Sequence, residues 1–352
     1  MREIAIEGLT LGMCLSKDIY NDLGNIILSQ GTEIAEKHLD YFRKHGIYFV
    51  YIEEIDDIIS RDRYKNAMAH KLKDLNHAYG EVLSQFKTLY FEIENKNYTF
   101  DINAVKEGLM ELIDTLLSDN DILGSMRVIA LDENYHFTHA VNVAMLSAMI
   151  CKWLNLDKET IYMASLSGLL HDVGKAQVSQ TLLFKSDDLE AEEFEQLKMH
   201  SRFGYESLKN NPTIPKAVLA AILFHHERSD GSGYPSGLKE EQTPYFARIV
   251  AVADVFDAIT SDKIYKKGVS SFKAFTIIKD ESFRGLDPNI SEVFLSNIAA
   301  FFVNNRVRLS DGREGEVVYI NKYALNRPLV KVSNAFIDLS TDYSLEIEEV
   351  IS

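Results

Sequence analysis

Between Tyr135 and Asp257 the chain sets His139, the pair His171-Asp172, His200, the pair His225-His226 and Asp254 along a pattern that otherwise reads as helix. This set holds five of the ten histidines. Imidazole and carboxylate are the ligands preferred by hard and intermediate divalent metals, and no cysteine joins them. Seven such groups exceed what one four-coordinate zinc needs. They suit two octahedral ions that share a bridging carboxylate and a hydroxide, the arrangement that hydrolyses phosphate esters. Iron or manganese fits this donor mix better than zinc.

GLLHDVGK (168–175) is the most specific short motif. Its apolar run buries a helix, His171 and Asp172 stand at the helix's C-terminal end, Gly174 lets the chain turn, and Lys175 follows. Neighbouring helical residues lie about 100° apart, so the pair reaches one cluster from two sides. A carboxylate there can bridge two ions while the imidazole binds one. Taken alone, a His-Asp pair is more often a surface pair or a capped helix end. LFHHERSDGSGYP (223–235) changes that balance, with two adjacent histidines before a glycine-rich turn. RIVAVADVFDAITSD then places Asp254 and Asp257 three apart on one helical face. Glu227 and Asp257 read as groups that orient ligating imidazoles, or as surface charges. Gly231, Gly233 and Tyr234 read as a turn that needs positive φ. Arg228 and Arg248 fit either phosphate contacts or ion-pair partners.

The elements that must carry these residues are helical. ENYHFTHAVNVAMLSAMICKWL reads as an amphipathic helix with His139 near its start, and residues 120–298 are helical almost throughout. Before them, residues 1–56 form a small β-rich module: a turn at Asp22–Asn25, a helix over Glu33–Lys44 ended by His45-Gly46, and a strand over Ile47–Ile52. Residues 57–119 form a helical linker. In it Met68, Leu72, Leu75, Tyr79, Val82, Phe86 and Leu89 follow 4-3 steps, a coiled-coil seam. Two readings of that seam stay open: a homodimer contact through residues 64–92, or packing on the same chain. A further helix spans Asn103–Leu117. Residues 299–352 return to alternation, with turns at Ser310–Gly312 and Asn334-Ala335, and read as a small β-barrel-like module. The fold class is multi-domain α+β, with an all-α core flanked by β-rich modules.

The net charge of −16 argues against a duplex nucleic-acid partner, which needs a basic face. A phosphate ligand can still bind where metals and a few lysines make one cleft positive. No run approaches the roughly 20 apolar residues of a membrane span, and the first residues lack a signal-peptide pattern. Cys14 and Cys151 read as free thiols of a reduced, cytoplasmic protein.

From about Tyr135 to Pro288, in order and spacing, the sequence resembles the HD-GYP family, a branch of the HD metal-dependent phosphohydrolases. The resemblance implies hydrolysis of cyclic di-GMP to the linear dinucleotide, with or without a second step to GMP, by attack of a metal-bridging hydroxide. It implies His139, His171, Asp172, His200, His225, His226 and Asp254 as ligands, and Lys175 beside the substrate phosphate. It also gives Tyr234, Lys263 and Lys266 substrate contacts, with Arg248 as a further candidate. Three departures stand out. Tyr135 replaces a glutamate that holds a third metal in some members, which favours two ions. SDKIYK replaces a common SDRPYR, so Lys263 offers charge without arginine's planar fork. KSDDL (185–189) adds negative charge. Two alternatives follow: a cyclic GMP-AMP phosphodiesterase, or a cyclic-dinucleotide receptor without turnover.

Overall fold

The structure is a computed structural model that describes all residues except 1, 7–8, 10–12, 21–25, 29, 33, 37, 40–41, 43–46, 48, 53–54, 98–99, 119–134, 186, 188, 262–268, 322, 334 and 352. For residues 2–3, 20, 26–27, 55–71 and 240 it describes the backbone alone. The chain divides into two compact units, Met1–Lys73 and Asp74–Ser352.

In the first unit, strand β1 (Arg2–Ala5) precedes the short antiparallel pair β2 (Ile19–Tyr20) and β3 (Ile26–Leu28). β1 pairs antiparallel with β4 (Phe49–Ile52), matching Arg2 to Ile52 and Ala5 to Phe49. Leu15, Ile34, Phe42, Val50 and Ile52 form its small core. The turn expected at Asp22–Asn25 and the helix end at His45-Gly46 lie outside the described residues.

Helix α1 (Ile55–Glu94) carries the 4-3 seam, and the boundary between the units falls within it. Leu75, Tyr79, Val82, Phe86 and Leu89 are buried in the core of their own chain. Phe86 meets Phe137 edge-on at 6.3 Å, and the Tyr79 hydroxyl donates to Asn142 Oδ1 at 3.2 Å. This part of the seam therefore takes the same-chain reading; the Met68 side chain lies outside the described residues. α2 (Asn103–Leu117) turns Val105, Leu109, Leu112, Ile113 and Leu116 into the same core. Residues 75–117 are thus part of the helical body rather than a linker. The division between the two units falls at residue 73, and these apolar faces join one core within the second.

α3 (Tyr135–Trp153) is buried at every position from Phe137 to Cys151 except Asn142, so it is a central helix and not the amphipathic one expected. It packs on α4 (Lys158–Leu170), whose start is capped by Asp157 accepting from the Thr160 amide at 2.9 Å. Gly168 makes that packing close: a Cβ there would lie 2.8 Å from the Val143 carbonyl and 2.9 Å from Ala144 Cα. A 3-10 turn (Val173–Gln177) follows, then α5 (Gln180–Leu183), α6 (Ala191–Lys198), α7 (His200–Leu208) and α8 (Lys216–Phe224). α9 (Tyr245–Thr260), α10 (Ser271–Ser282) and α11 (Pro288–Ala300) complete the helical body.

β5 (Arg306–Leu309), β6 (Glu314–Tyr319), β7 (Leu329–Val332), β8 (Ala335–Asp338) and β9 (Ile347–Val350) form one antiparallel sheet in the order β8-β7-β6-β5-β9. With β8 and β9 at its edges this is an open sheet, not a closed barrel. Val307, Leu309, Val317 and Val330 are fully buried and share the helical core. Gly312, at φ +84°, makes the β5–β6 turn. Among the described residues no helix is long and apolar enough to cross a membrane.

Candidate metal centre

Five helices and the turn after α4 converge on one buried cluster. α3 presents His139 from its first turns. His171 is the C-cap of α4, and its Nδ1 donates to the Gly168 carbonyl at 2.7 Å, which turns Nε2 inward. The same local device recurs twice. His200, opening α7, donates from Nδ1 to the Leu197 carbonyl at 2.6 Å, and His225, capping α8, donates to Ile222 at 2.9 Å. A backbone acceptor three residues earlier fixes the tautomer and leaves the Nε2 lone pair able to coordinate a cation.

The inward atoms form two groups: His139, His171 and Asp254 in one, Asp172, His200, His225 and His226 in the other. Asp172 faces both. Its Oδ2 lies 3.2 Å from His171 Nε2 and 3.8 Å from His139 Nε2, while Oδ1 lies 3.3 Å from His200 Nε2 and 3.9 Å from His225 Nε2. Lys175, on the 3-10 turn, forms an ion pair with Oδ2. His200 Nε2 stands 3.4 Å from His225 Nε2 and 3.2 Å from His226 Nε2. Three imidazole nitrogens pointing at one another have no mutual bond pattern that satisfies all of them; a cation between them does. His171 Nε2 and Asp172 Oδ1 are buried without a hydrogen-bond partner, a costly arrangement for polar atoms. The residues present therefore fit divalent metal ions.

The electrostatics agree. Burial opposes charge on His139, but the Asp254 and Asp257 carboxylates outweigh it and push its pKa up to about 9. Burial dominates at His200 and lowers it to about 4. Burial and the neighbouring imidazoles push His225 and His226 well below their ordinary value. Those three are neutral near pH 7 and ready to donate lone pairs. Burial disfavours charge on Asp172, yet His171 and Lys175 hold its carboxyl well below the usual range. Asp254 is likewise lowered, against burial, by its bond to His139 and by His171.

Supporting residues surround the ligands. Asp257 Oδ2 meets His139 Nδ1 at 2.6 Å, and Oδ1 accepts from Asn142 at 2.9 Å. Tyr135 stacks on His139 with centroids 5.2 Å apart. Asp257→Asn exchanges that carboxylate for an amide of the same shape. The expected result is a roughly 10–100-fold weaker metal affinity at the His139 group, measured by metal titration, with the His200 group unaffected. Equal weakening of both groups would show that Asp257 supports the fold and not this ring.

Glu227 does not orient an imidazole. Its two oxygens accept from the Ser236 and Leu238 amides at 2.7 and 2.9 Å, anchoring the glycine-rich loop. In that loop only Gly231 and Gly237 have positive φ. Gly233 is required by close approach instead, since a Cβ would lie 2.4 Å from the His226 carbonyl and 2.5 Å from the Arg228 nitrogen. The packing sets Tyr234 flat on His226, centroids 4.6 Å apart. Arg248 is drawn away from the cluster and pairs with buried Asp287, the N-cap of α11, at 2.6 Å. Lys263 and Lys266 lie outside the described residues.

A family model described as HD domain matches residues 124–290. Cyclic di-GMP phosphodiesterase PA4108 of Pseudomonas aeruginosa is 37% identical over 213 residues, 60% of this chain and 51% of that protein. The cyclic di-GMP phosphodiesterase of Thermotoga maritima is 31% identical over 241 residues, 68% of this chain and 64% of that protein. The chain thus spans between half and two thirds of the length of these curated relatives. Among solved structures, Bd1817, an HDG"Y"P protein from Bdellovibrio bacteriovorus, aligns over 84% of this chain and 99% of its own at a TM-score of 0.54. Its 18% identity makes this a likeness of fold. Residues 124–290 thus match the HD domain, and the His/Asp cluster lies within that stretch.

Proposed function

We propose that the chain is a cyclic di-GMP phosphodiesterase that opens the ring to linear pGpG, with two iron or manganese ions held by the two ligand groups. One observation carries this reading: the Asp172 carboxylate turns one oxygen to each group. Tyr135, which offers the cluster no carboxylate, supports two ions over three. Ions bound there would lower the pKa of water towards neutrality and neutralise phosphate charge.

The chain's own residues set the stage for in-line attack. Asp172 holds the two groups in fixed register. Lys175 leaves its ion pair with Asp172 to meet a phosphate oxygen, since an ammonium is a mobile point charge on a flexible stem. Tyr234 keeps His226 in place. Lys263 and Lys266 supply further positive charge to the substrate.

The test is metal analysis of anaerobically purified protein, followed by chromatography of cyclic di-GMP and cyclic GMP-AMP incubated with it. About two iron or manganese ions per chain and a linear product from cyclic di-GMP are expected. Chelation should abolish turnover, and added Fe²⁺ or Mn²⁺ should restore it. Turnover of cyclic GMP-AMP alone would replace the substrate. Bound metal with neither dinucleotide hydrolysed would make the chain a receptor.

A further inference from the structure

A cleft lies beside the metal cluster, lined by residues from Tyr90 to Glu94, His136, Phe137 and the segment from Lys175 to Phe184. Lys175, paired with the bridging Asp172, forms part of its lining. The remaining walls come mainly from the end of α1, from α5, and from His136 and Phe137 at the start of α3, beside the candidate ligand His139. Tyr90 and Phe137 meet edge-on at 5.2 Å, with Phe91 5.9 Å from Phe137. Phe184, also in the lining, stands 5.4 Å from His136. Phe91 and Phe184 keep 47% and 42% of their surface exposed, which is a large apolar exposure for rings beside a polar centre. One acidic group sits among them: Glu94, whose Oε1 accepts from Gln180 Nε2 at 3.1 Å.

Aromatic faces and one oriented carboxylate are a purine site. Stacking on such rings tolerates any base; the carboxylate does not. An ionised carboxylate only accepts hydrogen bonds. Guanine presents two adjacent donors, N1–H and its exocyclic amine. Adenine presents the lone pair of N1 beside its amine, and that lone pair would face a negative oxygen. We propose, resting on the phosphodiesterase reading above, that this cleft is a base subsite taking one guanine of the substrate. The ring packs between Phe91 and Phe184, and Glu94 accepts from its N1–H and exocyclic amine while Gln180 holds the carboxylate in place. The scissile phosphate then lies beside Lys175. Glu94 is thereby a specificity residue that selects guanine-containing dinucleotides over cyclic di-AMP.

Glu94→Gln and Phe184→Ala are the variants, both at sites open enough to leave folding intact, checked by melting temperature. Each is assayed with cyclic di-GMP, cyclic di-AMP and bis(p-nitrophenyl) phosphate, a phosphodiester without a purine. The expected result is a rise of roughly tenfold or more in KM for cyclic di-GMP in each variant. Glu94→Gln also narrows the preference over cyclic di-AMP, and bis(p-nitrophenyl) phosphate is hydrolysed at the wild-type rate. Calorimetric binding of cyclic di-GMP to chelator-treated protein should weaken by a similar factor. Wild-type constants for cyclic di-GMP in both variants would place the base elsewhere and overturn the inference. A parallel loss with bis(p-nitrophenyl) phosphate would also overturn it, by showing that Glu94 acts on the metal centre. If the wild-type protein hydrolyses no cyclic dinucleotide, the phosphodiesterase reading itself falls and takes the subsite with it, an outcome visible without any variant.

Discussion

Asp172→Ala is expected to abolish turnover, by on the order of 10³-fold or more, and to empty both metal positions. The size follows from the several kcal/mol that metal ions contribute to a phosphoryl-transfer barrier, at about 1.4 kcal/mol per factor of ten. Each of its oxygens addresses a different ligand group, with His171 at 3.2 Å and His200 at 3.3 Å, so a single deletion damages both. Lys175 would also lose its buried ion-pair partner. Asp172→Asn separates charge from shape. The amide keeps one oxygen donor and turns an NH₂ towards the other group, so the metal content should fall from about two ions to about one. Elemental analysis of both variants decides the matter. A full complement of metal in Asp172→Asn would show that the carboxylate does not bridge.

Gly174→Ala should be the most damaging added methyl among the described glycines, although Gly174 ligates nothing. A Cβ there would sit 1.9 Å from the His200 carbonyl and 2.3 Å from the Gly204 nitrogen. All the obstructing atoms are backbone, so no side chain can rotate away. The 3-10 turn bearing Lys175 must separate from α7, and His200 moves with the helix it opens. Overpacking of this kind costs roughly 3 kcal/mol or more, which is about 6–12 °C in Tm for a domain of this size. Metal should be lost first at the group of His200, His225 and His226. Gly80→Ala is the control, since nothing lies within 4 Å of its Cβ position on α1. There the loss of backbone freedom in the unfolded chain should stabilise by roughly 0.5–1 kcal/mol. A Tm for Gly174→Ala equal to that of wild type would mean the turn and α7 are not in rigid contact.

Local motifs made the candidate metal ligands legible before any fold was known. His171-Asp172 and His225-His226 are adjacent pairs at the ends of apolar helices, and the residue types name their own chemistry. The helix over Asn103–Leu117 was legible for a similar reason, because its period of apolar residues is a property of one segment. The long α1 helix was legible as a helix but not in its packing. A 4-3 seam looks the same whether a second copy or the chain's own α2 and α3 covers it. The amphipathic reading of α3 failed where a central helix is covered on every side, since a helix surrounded by partners has no polar face to show.

What the sequence determined by itself is the set of donor groups, because ligand chemistry belongs to the residue and its nearest neighbours. Only the tertiary structure decided how those donors divide between two positions, since the two Asp172 oxygens are assigned by helices far apart in the chain. It likewise turned Arg248 to Asp287 and Glu227 to the loop amides, because a charged side chain goes to whichever opposite group or buried donor the packing brings within reach. The aromatic cleft with Glu94 belongs to the same class. Its residues carry no motif, and they become a site only where α1 ends beside the turn that holds Lys175.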